Sequence, residues 1–272
     1  MGCALAALIL FSAIGASVIV AALLEAPKRG WTPTIIVAIV VPAIVIVGFV
    51  LTIMRVSRDF REQIRLRRQL MADVAHELRT PLAILQGRIE GLIDGVYPRD
   101  DAHLGELLAE TQHLSRLVED VRTIANADAG AMELRKERID LAELIRDVVA
   151  AVGASVDQQV PPEILIDADP VRIREVLLNL LNNAVQHAPQ GRIAIHAETR
   201  SRDVVVRITD DGPGISADEL PHVFDRFRKS PTSRGTGLGL SIAKKLVAAH
   251  NGTIRIESIE GTGTTVIVTL PL

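Results

Sequence analysis

The 272-residue sequence contains a single cysteine, Cys3, and few concentrations of basic charge. One cysteine excludes an intrachain disulfide framework and a metal cluster held by cysteines. The net charge is −3, and the only basic run is the set of arginines that follows residue 54, which argues against nucleic-acid binding. Internal repeats and low-complexity tracts are absent, and no glycine-rich segment carries the G-K-[ST] signature of a P-loop.

Two long uncharged runs, residues 4–24 and 33–54, stand out in the N-terminal part. As a helix, each run spans about 30 Å, the thickness of the hydrocarbon core of a bilayer. The first run lacks the basic leading region of a secretory signal peptide, which is the alternative interpretation, and exceeds the usual length of its apolar core. The arginines after the second run predict cytoplasmic termini for this two-span membrane anchor and contact with anionic lipid.

A heptad pattern follows the membrane anchor. The seam positions are Met71, Ala75, Leu78, Leu82, Leu85, Ile89, Leu92 and Val96, then Leu104, Leu107, Thr111, Leu114, Val118, Val121 and Ala125. Two such helices joined by "YPRDD", with Asp100 or Asp101 as N-cap, predict an antiparallel hairpin over residues 71–130. One hairpin leaves much of its apolar stripe uncovered, so we expect two hairpins to pair as a four-helix bundle in a homodimer.

Residues 137–272 alternate helical and strand patterns, which predicts a two-layer α/β sandwich. A capping box starting at Asp140 opens one helix, and a second at Ser216 predicts a short helix ending near Phe227. Asp169 and Pro170 begin a helix that runs to about His187, and Gly252 stops the helix in "LGLSIAKKLVAAHNG". The predicted strands are "EILIDA", "RIAIHAE", "DVVVRITD", "TIRIESI" and "TTVIVTLPL".

Four motifs carry candidate chemistry. "DVAHELRTPL" places His76 on the water-facing flank of the hairpin and Pro81 inside the same helix, where proline costs about 3 kcal/mol. Asn179 and Asn183 share one helix face, and their oxygens suit Mg²⁺ that carries nucleotide phosphates. "DDGPG" ends a strand with a carboxylate and two glycines that permit close approach of a ligand. "RGTGLGLS" precedes a helix N-terminus, which attracts anions.

Together these motifs resemble the membrane-bound sensor histidine kinases of bacterial two-component systems, over residues 58–272. "HELRTPL" is similar to their phosphoacceptor box, "NLLNNAVQH" to the N box, "DDGPGI" to the G1 box, "FDRF" to the F box and "GTGLGL" to the G2 box. The resemblance implies a dimeric helical bundle, a GHKL-type ATP-binding domain and a bacterial plasma-membrane location. It also implies ATP with Mg²⁺, autophosphorylation, transfer to an aspartate of a response regulator, and regulator phosphatase activity.

The resemblance assigns roles to individual residues. His76 accepts the phosphoryl group, Glu77 holds its reactive tautomer, and Thr80 positions the water for regulator dephosphorylation. Asn183 ligates Mg²⁺ with Asn179 in support. The complete expected nucleotide set is Asn179, Asn183, Gln186, His187, Asp210, Gly212, Gly214, Ile215, Phe227, Arg228, Lys229, Gly235, Thr236, Gly237, Leu238, Gly239 and Leu240, with Asp210 on the adenine amino group.

The sequence departs from the family pattern in four respects. Gln186 stands where the family often has a phosphate-binding lysine, and His187 stands where it often has an aromatic residue. The segment 216–234 is short for the ATP lid of the family, which leaves four candidate phosphate cations: Arg226, Arg228, Lys229 and Arg234. Only about 20 residues separate the second run from His76, so residues 55–70 are expected to form a juxtamembrane signalling helix without a HAMP-like relay. Input is then expected from the bilayer or from a partner membrane protein.

Two alternatives come from other functional classes. A GHKL-type ATPase clamp needs a catalytic glutamate on the N-box helix, and Asn179 occupies that position. A membrane scaffold without catalysis would have broken motifs, whereas every box in this chain is recognisable.

Overall fold

The computed structural model describes residues 31–129, 132–228 and 235–272, together with residues 17 and 20. The chain divides into two compact units, Met1–Ala72 and Asp73–Leu272. Nearly all of the first uncharged run lies outside the described residues. Within the described ranges, no helix is long and apolar enough to cross a membrane. The two membrane helices therefore stay a prediction.

A helical hairpin begins the second unit. Helix α1 covers Trp31–Ile93, of which residues 73–93 belong to this unit, and helix α2 covers Asp101–Asp128. Asp100 caps α2, since its carboxylate accepts the backbone N–H of His103 at 2.9 Å. Near the turn, the rings of Tyr97 and His103 stack with centroids 5.5 Å apart. The short turn and this cap confirm the predicted hairpin.

The hairpin buries only part of its apolar pattern. Leu92, Leu117 and Ile124 are buried, although Leu117 and Ile124 lie off the predicted seam of α2. Several seam positions are 40–72% exposed in the single chain: Met71, Leu82, Ile89, Val96, Leu104 and Val118. The seam prediction therefore missed a second, buried face of α2. The seam itself stays exposed in the single chain, so it is available to pack against another chain.

The C-terminal part contains two sheets. Strands β1 (Glu137–Asp140) and β3 (Leu165–Ala168) form a small antiparallel pair. The larger sheet has the order β2-β4-β5-β7-β6 and contains β2 (Val156–Gln159), β4 (Ile193–Arg200), β5 (Asp203–Asp210), β6 (Thr253–Ile259) and β7 (Gly263–Pro271). Strands β2 and β4 run parallel, and the other neighbours are antiparallel.

Three helices accompany this sheet: α3 (Leu141–Val152), α4 (Pro170–His187) and α5 (Gly239–Ala249). Helix α4 packs between α3 and α5 and against β5. Its buried residues recur every three or four positions, as expected for a helix with one apolar face: Ile173, Val176, Leu177, Leu180, Leu181 and Ala184. The predicted two-layer α/β sandwich is confirmed, as are the starts of α3 at Asp140 and α4 at Asp169, whose carboxylates cap them.

Three local predictions were wrong or incomplete. The segment after Ser216 forms only a 3₁₀ turn at Leu220–His222, although the Ser216 hydroxyl does reach the Glu219 carboxylate at 3.3 Å. The left-handed residue after α5 is Asn251, with φ of 61°, one position before the expected Gly252. Strands β1 and β2 were missed, because each of these four-residue strands contains a single apolar residue and so shows no apolar run or alternation.

Candidate functional site

A cleft of about 540 Å³ opens between α4, the loop after β5 and the loop before α5. Thirteen of the seventeen expected nucleotide residues line it: Asn179, Asn183, Gln186, His187, Asp210, Gly214, Ile215, Arg228, Gly235, Thr236, Gly237, Gly239 and Leu240. These residues are separated by up to 61 positions in the sequence, and the fold brings them to one place.

The remaining four expected residues do not line the cleft. Leu238 is fully buried, and Gly212 lies behind the cleft wall, where its N–H donates to the Asp210 carboxylate at 2.9 Å. The backbone of Phe227 packs against Gly237, at which an added Cβ would lie 2.7 Å from the Phe227 carbonyl carbon. Lys229 lies outside the described residues. Leu238, Gly212 and Phe227 thus support the walls of the cleft, and the role of Lys229 stays a prediction.

The candidate cations are distributed differently from the expectation. Arg228 lines the cleft. Arg226 instead forms an ion pair with Asp128 of α2 at 2.5 Å. Arg234, like Lys229, lies outside the described residues. Of the two described cations, Arg228 alone borders the cleft.

Asp210 supplies a buried carboxylate at the end of β5. One of its oxygens, Oδ1, accepts the Gly212 N–H, and the side chain is otherwise enclosed at 7% exposure. Burial raises the pKa of Asp210 above its usual range, against the opposing Gly212 hydrogen bond. A buried carboxylate with an oxygen to spare is stabilised by a ligand N–H donor. The site therefore suits an amino group such as that of adenine.

The two asparagines occupy successive turns of α4, as predicted. The Nδ2 amide of Asn179 is buried, and in the described part of the chain it has no hydrogen-bond partner. An unsatisfied buried donor costs about 1–3 kcal/mol, which a ligand acceptor at this position would recover. Asn182, which was not predicted, also lines the cleft.

The glycine-rich loop leads directly into α5. The N-cap residue Leu238 makes no side-chain cap, and its own N–H donates to the Thr236 hydroxyl at 3.3 Å. A helix N-terminus without a side-chain cap presents backbone N–H groups and a positive dipole end. This end of the cleft can therefore bind an anion such as a phosphate group.

Helix α2 of the hairpin also contributes to the cleft. His113, Arg116 and Asp120 line it, and the Thr236 hydroxyl donates to the Asp120 carboxylate at 3.0 Å. Burial raises the pKa of Asp120, although the bond from Thr236 opposes this shift. Sequence reasoning missed these three residues, because no local pattern reports which face of α2 meets the sandwich.

The hairpin register relates the cleft to His76. Arg88 of α1 and Glu106 of α2 form an ion pair and are therefore level with each other. His76 lies twelve residues before Arg88, about 18 Å along the helix. Because the two helices are antiparallel, the residue level with His76 on α2 lies twelve positions after Glu106, at residue 118. Asp120, in the cleft wall, is thus about one half-turn from the level of His76.

The phosphoacceptor candidates lie on one stretch of α1. His76 is exposed, as predicted for the water-facing flank. Thr80 is also exposed, and Glu77 is half-buried. Pro81 is buried, and α1 continues through it to Ile93. The helix therefore accommodates the proline without ending there.

Two segments of the chain match known families. Residues 66–130 match the His Kinase A (phospho-acceptor) domain, and residues 168–272 match the histidine kinase-, DNA gyrase B- and HSP90-like ATPases. The signal transduction histidine-protein kinase BaeS of Escherichia coli is 35% identical over 221 residues, 76% of this chain and 47% of BaeS. The sensor protein kinase WalK of Staphylococcus haemolyticus is 34% identical over 82% of this chain and 40% of WalK. The chain thus spans less than half the length of these relatives.

Solved structures give the same result. The Acinetobacter baumannii histidine kinase AdeS is 32% identical, with a TM-score of 0.63, over 72% of this chain and 97% of AdeS. The histidine kinase ThkA, solved in complex with the response regulator protein TrrA, is 27% identical with a TM-score of 0.63, over 79% of this chain and 64% of that one.

Proposed function

Because the chain belongs to the sensor histidine kinases of two-component systems, we propose that it is an ATP-dependent protein-histidine kinase. It phosphorylates His76 and passes the phosphoryl group to an aspartate of a response regulator. The observation that carries the proposal is the hairpin register, in which a wall residue of the ATP cleft, Asp120, lies close to the level of the exposed His76. This placement supports a reaction that joins the nucleotide in the cleft to His76.

The chemistry follows from an exposed imidazole. The lone pair of a neutral His76 ring nitrogen forms a bond to the γ-phosphorus of ATP, the bond from that phosphorus to the bridging oxygen breaks, and ADP leaves. Glu77, the next residue, takes the proton of the other ring nitrogen and holds the reactive tautomer. Positioning and charge neutralisation supply most of the rate enhancement in phosphoryl transfer.

The cleft residues bind the nucleotide at both ends. Asp210 accepts the adenine amino group, and the N-terminus of α5 with Arg228 receives the phosphates. Gln186 lines the cleft in place of the expected lysine, so it contributes a hydrogen bond and no charge at that position. The hydrogen-bonding and charged groups of this cleft are therefore well matched to an adenine nucleotide.

Magnesium is part of the proposal. No cluster of three histidine, cysteine or carboxylate side chains suited to a metal occurs among the described residues. Mg²⁺ usually keeps several waters and binds through one or two protein oxygens plus substrate phosphates, which fits the amide pair Asn179 and Asn183. Asn183, with Asn179 in support, would hold the ion, which would neutralise phosphate charge.

The proposal includes the state of assembly and the partners. The exposed seam residues of both helices support a homodimeric four-helix bundle, since unpaired apolar stripes cost free energy in water. The two uncharged N-terminal runs support attachment to the plasma membrane and lipid contact. The solved complex of ThkA with TrrA supports a receiver domain as the phosphoryl acceptor of this chain.

Labelling with γ-labelled ATP and Mg²⁺ tests the function. The full-length chain should acquire acid-labile, base-stable label, as a phosphoramidate does, and His76→Gln should abolish it. His103→Gln is the matched control, because His103 lies on the same hairpin near the turn and should keep full label. Label that survives in His76→Gln, or ATP hydrolysis with no protein label, would overturn the assignment; the second result would favour an ATPase clamp.

A further inference from the structure

Two carboxylates of α2 contact the ATP-binding domain. Asp120 accepts the Thr236 hydroxyl at 3.0 Å, whereas Asp128 pairs with Arg226 at 2.5 Å and also with Lys245. The two carboxylates are eight residues apart on one helix, so they share a face and are separated by about 12 Å. Their contacts hold the domain to α2 at two points.

Apolar packing accompanies these polar contacts. Leu117 and Ile124 alternate with Asp120 and Asp128 at spacings of three and four residues, and both are fully buried. Helix α2 packs against α5, which begins immediately after the glycine-rich loop. We call the face formed by Leu117, Asp120, Ile124 and Asp128 the docking face of α2.

The two carboxylates act on different parts of the domain. Asp128 binds Arg226 and Lys245, neither of which lines the cleft. Asp120 binds Thr236, which lies in the glycine-rich loop and lines the cleft. The Thr236 hydroxyl in turn accepts the N–H of Leu238, the residue that precedes α5. A hydroxyl that donates to Asp120 and accepts from Leu238 has a fixed orientation, so Asp120 constrains the start of α5.

We propose that Asp120 is a positioning residue for autophosphorylation, which holds the glycine-rich loop near the level of His76. The inference rests on the proposed function, and it adds a hairpin residue to the machinery that orients the nucleotide. The phosphates bind at the N-terminus of α5, so fixing that terminus relative to α2 fixes the reacting phosphorus relative to the hairpin. Displacements of about 1 Å can cost a factor of about 100 in rate, so a single anchoring bond matters.

The test compares three variants of the full-length chain with the wild type. Asp120→Ala removes the anchor, and Asp120→Asn keeps a weaker acceptor oxygen in the same place. Glu119→Ala is the matched control, because Glu119 is an exposed carboxylate one residue away that pairs with Arg122 of α2 itself. Two quantities are measured: the rate of His76 labelling at saturating ATP, and the dissociation constant of ATP from displacement of a fluorescent ATP analogue.

Asp120→Ala should lower the labelling rate at saturating ATP by tenfold or more and leave the ATP dissociation constant within twofold. Asp120→Asn should have an intermediate rate, and Glu119→Ala should match the wild type. Retained ATP binding also establishes that Asp120→Ala is folded. If Asp120→Ala does not fold, the labelling rate of Asp120→Asn is compared with that of the wild type instead.

Three results would overturn the inference. An unchanged rate in Asp120→Ala would remove Asp120 from positioning. Weaker ATP binding with an unchanged labelling rate at saturating ATP would make its role one of cleft integrity. Tighter ATP binding without a loss of rate would mean that the carboxylate competes with phosphate for Thr236. Absence of label in the wild type would instead overturn the proposed function, and this inference with it.

Discussion

The Ser258 hydroxyl of β6 accepts the backbone N–H of Ile215, in the loop after β5, at 2.9 Å. The same hydroxyl donates to the Gly263 carbonyl at 2.8 Å. Beside it, the Gly261 N–H donates to the Pro213 carbonyl at 2.7 Å. The turn between β6 and β7 therefore supports the loop that forms one wall of the cleft.

Ser258→Ala should weaken ATP binding by about five- to tenfold, which corresponds to about 1–1.4 kcal/mol for the lost hydrogen bonds. The labelling rate at saturating ATP should stay near the wild-type value, because the loop contacts the base end of the cleft. Ser258→Thr keeps the hydroxyl and should restore affinity. Thr209→Ala is the control: it removes another hydroxyl pair of the sheet, Thr209 with Thr265 at 3.1 Å, and should leave ATP affinity unchanged.

Gly214→Ala should abolish measurable ATP binding. Gly214 has φ of 69°, and an added Cβ would lie 2.1 Å from the Ile259 carbonyl oxygen, so the loop would have to move. Gly261→Ala separates the clash from the backbone strain, since Gly261 has φ of 78° with nothing within 4 Å of the added Cβ. It should cost about 1 kcal/mol of stability and keep ATP binding. Equal affinity loss in both variants would contradict the close-packing argument.

His250 joins the ends of two helices inside the domain. Its Nε2 accepts the Asp169 N–H at 3.1 Å, and its Nδ1 lies 2.8 Å from the Leu246 carbonyl, to which it must donate. This pair of bonds requires the neutral ring. Burial lowers the pKa of His250, and nearby Lys136 acts in the same direction, while Asp169 opposes it.

The free energy of unfolding should therefore fall as the pH drops below about 6.5, the ordinary value of histidine, because only the unfolded state then binds the proton readily. His250→Gln should be less stable at pH 7.5 and should show a smaller decrease between pH 7.5 and 5.5. Denaturant unfolding of the full-length chain at each pH gives the free energies of unfolding. An identical decrease between pH 7.5 and 5.5 for wild type and His250→Gln would exclude His250 as the source of the pH dependence.

Most of the sandwich could be predicted because its signals are local. Asp169 and Pro170 mark the start of α4, and the observed helix ends at His187 as expected. Strands β4 and β5 are long enough for alternation to be visible, and they pair across the predicted turn, with Arg200 opposite Asp203. Such elements can be predicted from capping residues and apolar periodicity alone, and both are visible in consecutive residues.

The docking face could not be predicted because its partners are distant in sequence. Thr236 lies 116 residues after Asp120, and Lys245 lies 117 residues after Asp128. The apolar residues of α2 form two faces, the heptad seam expected to pair hairpins and the docking face against the sandwich. A heptad pattern in the sequence reveals only the seam. The same limitation hid His113 and Arg116, whose positions in the cleft depend on domain placement.

We propose that Thr80 separates the two activities expected of the hairpin. It is exposed four residues after His76, so its hydroxyl lies one turn away, about 6 Å along the same face of α1. Autophosphorylation uses His76 and the nucleotide cleft, and neither needs this hydroxyl. Dephosphorylation of the regulator needs a water aligned on its phospho-aspartate, and on this proposal the Thr80 hydroxyl orients that water when the regulator docks over His76.

Thr80→Ala should therefore keep the labelling rate within a few-fold and slow regulator dephosphorylation by tenfold or more, about 1.4 kcal/mol in barrier. Thr80→Ser keeps the hydroxyl and should retain most of the phosphatase rate. The alternative is that Thr80 only adapts α1 to Pro81, and then Thr80→Ala should lower both activities together. Decay of purified phosphorylated regulator, measured with each variant, distinguishes these roles; equal decay with wild type and Thr80→Ala would remove Thr80 from the mechanism.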